Sequence, residues 1–102
     1  MEKVAKVSDV KTNLCVSVKG KSLALFNVKG KFYCIDNKCP HAGGPLCEGS
    51  IENMEVICPW HQSKFNIKTG KVVQGPAKEN VKSYETSVKD GYVWVEIWSL
   101  MF

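Results

Sequence analysis

The strongest constraint on this chain comes from two short segments, each of which brings one cysteine and one histidine together. Cys39 and His41 stand in C-P-H, and Cys58 and His61 stand in C-P-W-H. These are the only 2 histidines in the sequence. Thiolates and imidazoles are common ligands of zinc and iron, so the two segments together predict a four-ligand metal site.

The order of the ligands separates two kinds of metal site. In the spacing C-x-H-x16-C-x2-H each segment supplies one ligand of each type. A common zinc finger instead pairs cysteine with cysteine and histidine with histidine. The interleaved order suits a two-iron cluster in which one iron takes both sulfurs and the other takes both nitrogens. A structural zinc site in an interaction domain remains the alternative, since zinc also accepts two cysteines and two histidines.

Length and charge limit the classes of function. A chain of 102 residues predicts a single domain over residues 1–102. The 14 basic residues are all lysine, and the absence of arginine argues against nucleic-acid binding. Residues Met1–Lys6 lack the apolar run of a signal peptide, and no segment approaches the length of a membrane span. We therefore expect a cytoplasmic protein without a membrane anchor.

The hydrophobic pattern predicts an all-β fold. Short runs rich in Val, Ile, Phe and Tyr alternate with turns at Lys19-Gly20, Lys29-Gly30, Thr69-Gly70 and Asp90-Gly91. In the last run, Val93, Val95 and Ile97 share one face, which we expect to be core. The predicted strands are Val4–Val7, Leu14–Val18, Leu23–Val28, Phe32–Asp36, Glu55–Cys58, Lys64–Ile67, Lys71–Val73, Lys82–Val88 and Tyr92–Trp98.

The segment that begins with the first ligand pair differs in composition from the predicted strands. Residues Cys39–Gly49 read CPHAGGPLCEG, with too many prolines and glycines for regular structure. A bound metal would fix such a segment, whose ordering otherwise costs chain entropy. The predicted architecture is a small antiparallel β-sheet base that carries a loop-built subdomain holding the metal.

Three cysteines lie outside the two ligand segments. Cys15, Cys34 and Cys47 show no framework spacing. In a reducing compartment we expect them to be small, buried or half-buried side chains. A Cys15–Cys34 bridge is the alternative.

The segments CPHAGGPL and CPWHQSKFNIKTG resemble the two cluster-binding segments of Rieske-type [2Fe-2S] proteins, and the rest of the chain is similar to soluble Rieske ferredoxins. That resemblance implies a Rieske-type fold with one [2Fe-2S] cluster per chain and a cluster-binding subdomain at about 38–77. Cys39 and Cys58 would bind one iron, and His41 and His61 the other. The similarity extends to the segments Lys6–Val10, Phe26–Phe32, Gly75–Ala77, Val81–Tyr84 and Val88–Val93.

The resemblance also assigns roles around the cluster. The segment of Pro76 would be a third loop that shields it, and Trp60 would either shield it or contact a partner. High-potential members use a Ser and a Tyr after the second segment, whereas this chain has Ser63 and Phe65. We therefore expect a potential below that class. Rieske subunits of cytochrome complexes join two further cysteines in a disulfide, but Gly44 and Trp60 occupy those positions here.

The function implied by the resemblance is electron transfer without catalysis. The protein would carry one electron at a time from a flavin-dependent or other reductase to a terminal oxygenase or similar acceptor. The alternative within the family is a small Rieske subunit of a nitrite-reductase-like complex. A complete oxygenase is excluded, because its iron site needs further histidines and the cluster already uses both. The role of the apolar tail Ser99–Phe102 is not assigned by the sequence.

Overall fold

The computed structural model describes residues 1–41 and 43–97, and most of them lie in antiparallel β-strands. The tail Ser99–Phe102 and the end of the predicted last strand at Trp98 lie outside the described residues. These described residues include two 3₁₀ turns, at Val7–Asp9 and Leu46–Glu48. The strands are β1 Glu2–Lys6, β2 Asn13–Val18, β3 Lys21–Val28, β4 Lys31–Asp36, β5 Ser50–Glu52, β6 Glu55–Ile57, β7 Lys64–Asn66, β8 Val72–Gln74, β9 Ser83–Tyr84, β10 Thr86–Lys89 and β11 Tyr92–Val95.

The strands form three antiparallel sheets, which confirms the all-β prediction. Their orders are β1-β11-β10, β2-β3-β4-β9 and β5-β6-β7-β8. The first two sheets share one hydrophobic core and make up the base. Val93 and Val95 of β11 are fully buried in that core, and Ile97 packs against it, as the alternation predicted. Within the described residues, no helix is long and apolar enough to cross a membrane.

Strand β3 is the element that connects the base to the third sheet. Its residues Leu23 and Leu25 belong to the base core, whereas Ala24 and Phe26 face a second core. The second core also contains Val56 of β6 and other side chains of the third sheet. A strand with both faces buried carries a continuous apolar run rather than an alternating one. The sequence Leu-Ala-Leu-Phe in β3 has that property.

Strands β5–β8 form a meander whose register brings three connections to one end of the third sheet. Ser50 pairs with Ile57, and Lys64 pairs with Gln74. The start of β5, the β6–β7 connection and the end of β8 therefore lie together. The subdomain predicted as loop-built carries this four-stranded sheet, and its loops extend from that end.

Two differences from the predicted strands have local causes. The predicted strand Lys82–Val88 is divided at Glu85, because β9 pairs with β4 whereas β10 pairs with β11. Strand β5 was not predicted, since its hairpin to β6 turns at Asn53 and Met54, with φ of 55° and 59° and no glycine. The predicted Lys-Gly and Asp-Gly turns do adopt positive φ at both residues, as Asp90 (55°) and Gly91 (79°) illustrate.

Two of the three remaining cysteines differ from the expectation because they form a disulfide, although Cys47 is buried as expected. Cys15 on β2 and Cys47 in the turn Leu46–Glu48 form a disulfide, with Cα atoms 5.0 Å apart. Cys15 is exposed rather than buried, and the alternative Cys15–Cys34 bridge is absent. Cys34 is a buried free thiol, as expected. The sequence did not indicate that the turn after the first ligand segment packs against β2.

Candidate metal centre

The first ligand segment closes on itself through its backbone. The Cys39 N–H donates to the Gly44 carbonyl at 2.9 Å, and the Gly43 N–H donates to the Cys39 carbonyl at 2.7 Å. Gly43 has a φ of +78°, which favours glycine because it has no Cβ. The result is a tight loop in which Cys39 is 1% exposed while His41 is exposed.

The second ligand segment is the connection between β6 and β7. The Cys58 N–H donates to the Ser63 carbonyl at 2.8 Å and so closes the loop at its base. His61 and Gln62 adopt φ of 70° and 63°, in the left-handed region that non-glycine residues seldom occupy. These two residues reverse the chain at the tip. Cys58 is thereby fully buried and His61 is exposed.

The fold brings the two segments into contact. A Cβ built on Gly44 would lie 2.8 Å from the Cys58 Sγ and 3.0 Å from the Trp60 Cγ, so only glycine fits between them. The imidazole rings of His41 and His61 lie edge to face with centroids 5.1 Å apart. All four predicted ligands therefore meet at one place, with the sulfurs inside and the imidazoles outside.

The Cys58 thiol lies in surroundings that disfavour its charged form. Burial raises the pKa of the Cys58 thiol, and the neighbouring Cys39 acts in the same direction, whereas the backbone N–H of Trp60 lowers it. Two thiolates at this depth need a compensating positive charge, which a bound metal centre supplies. Two buried sulfurs beside two surface imidazoles fit an iron–sulfur cluster with mixed ligation.

A third loop packs against the same core. Ala77 is 5% exposed and shares the second hydrophobic core with Cys39 and Cys58. Its N–H donates to the Ser63 Oγ at 2.8 Å, and Ser63 itself is fully buried. Pro76 is exposed and lines a shallow groove together with Pro40, His41, Lys78 and Glu79.

The remaining predicted positions differ in depth. Phe65 pairs with Val56 across β6 and β7 and is fully buried, in the same core as the two cysteines. Trp60 is 51% exposed, although its Cβ and Cγ would be among the closest contacts of a Cβ on Gly44. The base of this side chain thus packs against the first loop, while about half of the residue is open to solvent.

Sequence reasoning missed Asn37, which fastens the first ligand segment. Its Oδ1 accepts a bond from the Cys47 N–H at 2.8 Å, and its carbonyl accepts one from the Leu46 N–H at 2.8 Å. Its Nδ2 donates to the Ser22 Oγ at 3.0 Å. A side chain that bonds at both ends holds the loop onto the base. The only sequence feature that could have indicated this role is the position of an asparagine directly after an apolar strand, where its side chain can bond to nearby backbone groups.

Comparison with known proteins gives consistent results. The family described as Rieske [2Fe-2S] domain matches residues 1–85. The ferredoxin component of the naphthalene 1,2-dioxygenase system of Pseudomonas putida is 37% identical over 84 residues, which are 82% of this chain and 81% of that protein.

Two solved structures have the same fold. The ferredoxin of Sphingomonas yanoikuyae B1 superposes with a TM-score of 0.88 at 28% identity, covering 93% of this chain and 96% of its own. A chain from the complex of reduced oxygenase and oxidised ferredoxin in carbazole 1,9a-dioxygenase superposes with a TM-score of 0.84 at 32% identity, covering 91% of this chain and 89% of that one. The family match and these similarities agree with the cysteine and histidine pairs of this chain. They show that the chain belongs to the Rieske [2Fe-2S] family, among its ferredoxins.

Proposed function

We propose that this protein carries single electrons from a flavin-dependent or other ferredoxin reductase to a terminal oxygenase. The observation that carries the proposal is the convergence of two buried cysteines and two exposed histidines at one edge of the fold. The similarity to a dioxygenase ferredoxin component supports the oxygenase as acceptor. The same similarity makes the nitrite-reductase-like subunit and the zinc-binding domain less favoured. We also propose that the protein is cytoplasmic.

The proposed cluster ligands divide into an inner and an outer pair. Cys39 and Cys58 would bind one iron and His41 and His61 the other, within a subdomain at about 38–77 of one Rieske domain. The cluster would supply a one-electron store, since its charge with two thiolates and two neutral imidazoles is zero when oxidised. The buried sulfurs exclude water from the inner side. The exposed imidazoles give electrons a short route to the surface.

Ser63 is proposed to tune the potential. Its Oγ already accepts the Ala77 N–H, so its own proton is left to donate toward the buried sulfurs. Hydrogen bonds to the sulfurs stabilise added negative charge and raise the potential. Phe65 has no hydroxyl to add a second such bond. The protein should accordingly have a potential below the high-potential class.

The docking face is proposed to be the exposed edge around the two imidazoles. Trp60, Pro40 and Pro76 are exposed beside them. Aromatic side chains are enriched at protein interfaces, and electron-transfer partners bury small areas. Brief contact of a small apolar ring would bring an acceptor close to the imidazoles without holding it.

The test is a reconstituted electron-transfer assay with an oxygenase of the naphthalene dioxygenase class and a matching reductase. We expect substrate turnover only when this protein is present, and rapid reoxidation when its reduced form meets the oxidised oxygenase alone. Electron delivery to a nitrite-reductase-type subunit but not to any oxygenase would support the alternative. A protein that contains zinc and no acid-labile sulfide would overturn both.

A pair of variants separates the docking role of Trp60 from general surface effects. Trp60 is 51% exposed at the proposed face, and Val88 is 54% exposed on β10 of the base. Trp60→Ala should slow transfer to the oxygenase about tenfold, as the loss of an interface aromatic does, with the visible absorbance unchanged. Val88→Ala should leave the rate unchanged. Equal effects of the two variants would contradict the assignment of this face.

A further inference from the structure

We propose that Cys15 and Cys47 form a reversible dithiol/disulfide site that an external dithiol opens and closes without unfolding the protein. The site is separate from the proposed cluster ligands, which are Cys39 and Cys58. It also differs from a bridge between the two ligand segments, since Cys15 belongs to β2 of the base. The inference goes beyond the proposed function and uses none of its partners, but it rests on the proposed cytoplasmic location.

The two sulfurs differ in access, which defines a direction of attack. Cys15 is exposed, whereas Cys47 is 4% exposed. Thiol–disulfide exchange requires an in-coming thiolate to reach one sulfur while the other leaves. Cys15 is the more exposed of the two residues, so we take its sulfur as the one attacked and Cys47 as the leaving thiolate. A disulfide in a reducing compartment, where we assign this protein, is more often transient or redox-sensing than structural.

The turn that carries Cys47 has other attachments that remain when the bridge opens. The Cys47 carbonyl accepts a hydrogen bond from the Asn13 Nδ2 at 2.6 Å, and the Cys47 N–H donates to the Asn37 Oδ1 at 2.8 Å. The same Asn13 group also donates to the Gly49 carbonyl at 3.2 Å. Leu46, beside Cys47, is fully buried in the core that contains Cys39. Opening the bridge would therefore leave both thiols close together and able to re-form it.

The reaction balances as a two-electron exchange. A thiolate of the external dithiol attacks the Cys15 Sγ, forming a mixed disulfide and releasing the Cys47 thiolate, which takes a proton. The second thiol of the reagent then attacks the reagent's first sulfur, which is bonded to Cys15, and releases the Cys15 thiolate. The reagent is oxidised to its disulfide, and the protein gains two electrons and two protons. The reverse sequence closes the bridge.

Glu48 gives the site a preference among attacking groups. One of its carboxylate oxygens lies within 4.8 Å of both sulfurs. A negative charge at that distance disfavours the approach of an anionic thiolate. Glu48→Gln should therefore speed opening by glutathione roughly threefold. Glu85→Gln changes an exposed carboxylate between β9 and β10 of the base and should leave the rate unchanged.

The experiment is an equilibrium titration of the cluster-loaded protein with reduced and oxidised dithiothreitol. Free thiols are trapped with a maleimide and located by mass spectrometry, while visible absorbance follows the cluster. We expect Cys15 and Cys47 to be labelled together in a reversible two-electron transition, with the cluster retained and buried Cys34 unlabelled. Absence of labelling until the cluster is lost, or a bridge that does not re-form in excess oxidised reagent, would overturn the proposal.

Two single variants test the direction of attack even if the double reduction is slow. With Cys47→Ser, the exposed Cys15 should form a stable mixed disulfide with glutathione disulfide. With Cys15→Ser, the buried Cys47 should form at most one tenth as much in the same time. Equal trapping in the two variants would contradict the assignment of Cys15 as the sulfur that is attacked.

Discussion

At the scale of single residues, the structure connects the proposed potential of the centre to one hydroxyl. Ser63 is fully buried between the second ligand loop and the third loop, and it holds the Ala77 N–H. Its carbonyl also closes the loop of Cys58. One side chain therefore fastens the third loop and, in the proposed function, would also offer a proton to the sulfurs. These two roles can be measured separately.

Removing that hydroxyl should change stability and potential together. Ser63→Ala leaves the buried Ala77 N–H without its acceptor, which costs about 1–3 kcal/mol of unfolding free energy. It also removes the proposed donor to the sulfurs, so the midpoint potential should fall. Voltammetry and urea unfolding measure the two effects, with the exposed Ser50→Ala as control. A potential that does not change would remove Ser63 from the tuning account.

Adding a hydroxyl at Phe65 tests the same principle in the opposite direction. Phe65 is fully buried in the core of the two cysteines. In Phe65→Tyr the new hydroxyl should donate to a cluster sulfur and raise the midpoint potential. If the hydroxyl found no partner, its burial would cost about 1–3 kcal/mol of stability instead. An unchanged or lowered midpoint would show that the tyrosine is not what distinguishes the high-potential class.

Buried Cys34 should make stability fall in alkaline solution. Burial raises the pKa of its thiol to about 12, with Asp36 acting in the same direction. In the unfolded chain a cysteine titrates near 8.5. Above that pH the unfolded state loses a proton that the folded state keeps, so this contribution to stability is complete below pH 8.5 and declines up to about pH 12.

The expected loss from this thiol between pH 8 and pH 10 is about 2 kcal/mol of unfolding free energy. Cys34→Ala should show a decline smaller by that amount in urea unfolding. Leu25→Ala is the matched control, because Leu25 pairs with Cys34 across β3 and β4 and does not titrate. Equal pH dependence in the two variants would contradict the raised pKa.

At the scale of elements, the two ligand loops approach each other so closely that the contact requires glycine at position 44. A Cβ on Gly44 would lie 2.8 Å from the Cys58 Sγ, nearer than side chains pack. Gly44→Ala should therefore separate the loops and lower the iron content of the purified protein at least severalfold, while the base still folds. Gly75→Ala is the control, since its Cβ would meet nothing closer than 3.6 Å. Full iron in Gly44→Ala would contradict this packing.

The sequence indicated local elements well and their partners poorly. Lys-Gly and Asp-Gly pairs revealed hairpins because glycine favours positive φ. Asn53 and Met54 make the same kind of turn without that signal. The apolar run Lys82–Val88 did not reveal that its halves pair with different strands. Nor did the spacing of Cys15 and Cys47, 32 residues apart, indicate their bond, because it depends on how the turn Leu46–Glu48 packs against β2.

At the scale of the whole molecule, one strand links the proposed redox centre to the base. Strand β3 places Leu23 and Leu25 in the base core and Ala24 and Phe26 in the core beneath the ligands. The types and grouping of the proposed ligands were readable from the sequence, since they lie in two short segments. Their convergence came from the register of β5–β8, which brings three loops to one end. Periodicity within a strand indicates which side chains share a face, but it does not identify the strand or residues with which they pair.

The central claim is that the two iron atoms have unlike ligands, and isotope labelling tests it directly. His41 and His61 are the only histidines in the sequence. Labelling with ¹⁵N-histidine therefore places the label in the two imidazoles that are the proposed ligands and in no other side chain. Pulsed electron paramagnetic resonance of the dithionite-reduced protein should show a [2Fe-2S] signal with two histidine nitrogen couplings that change on labelling. A mononuclear metal, or a [2Fe-2S] signal with couplings that do not respond to the label, would contradict the account.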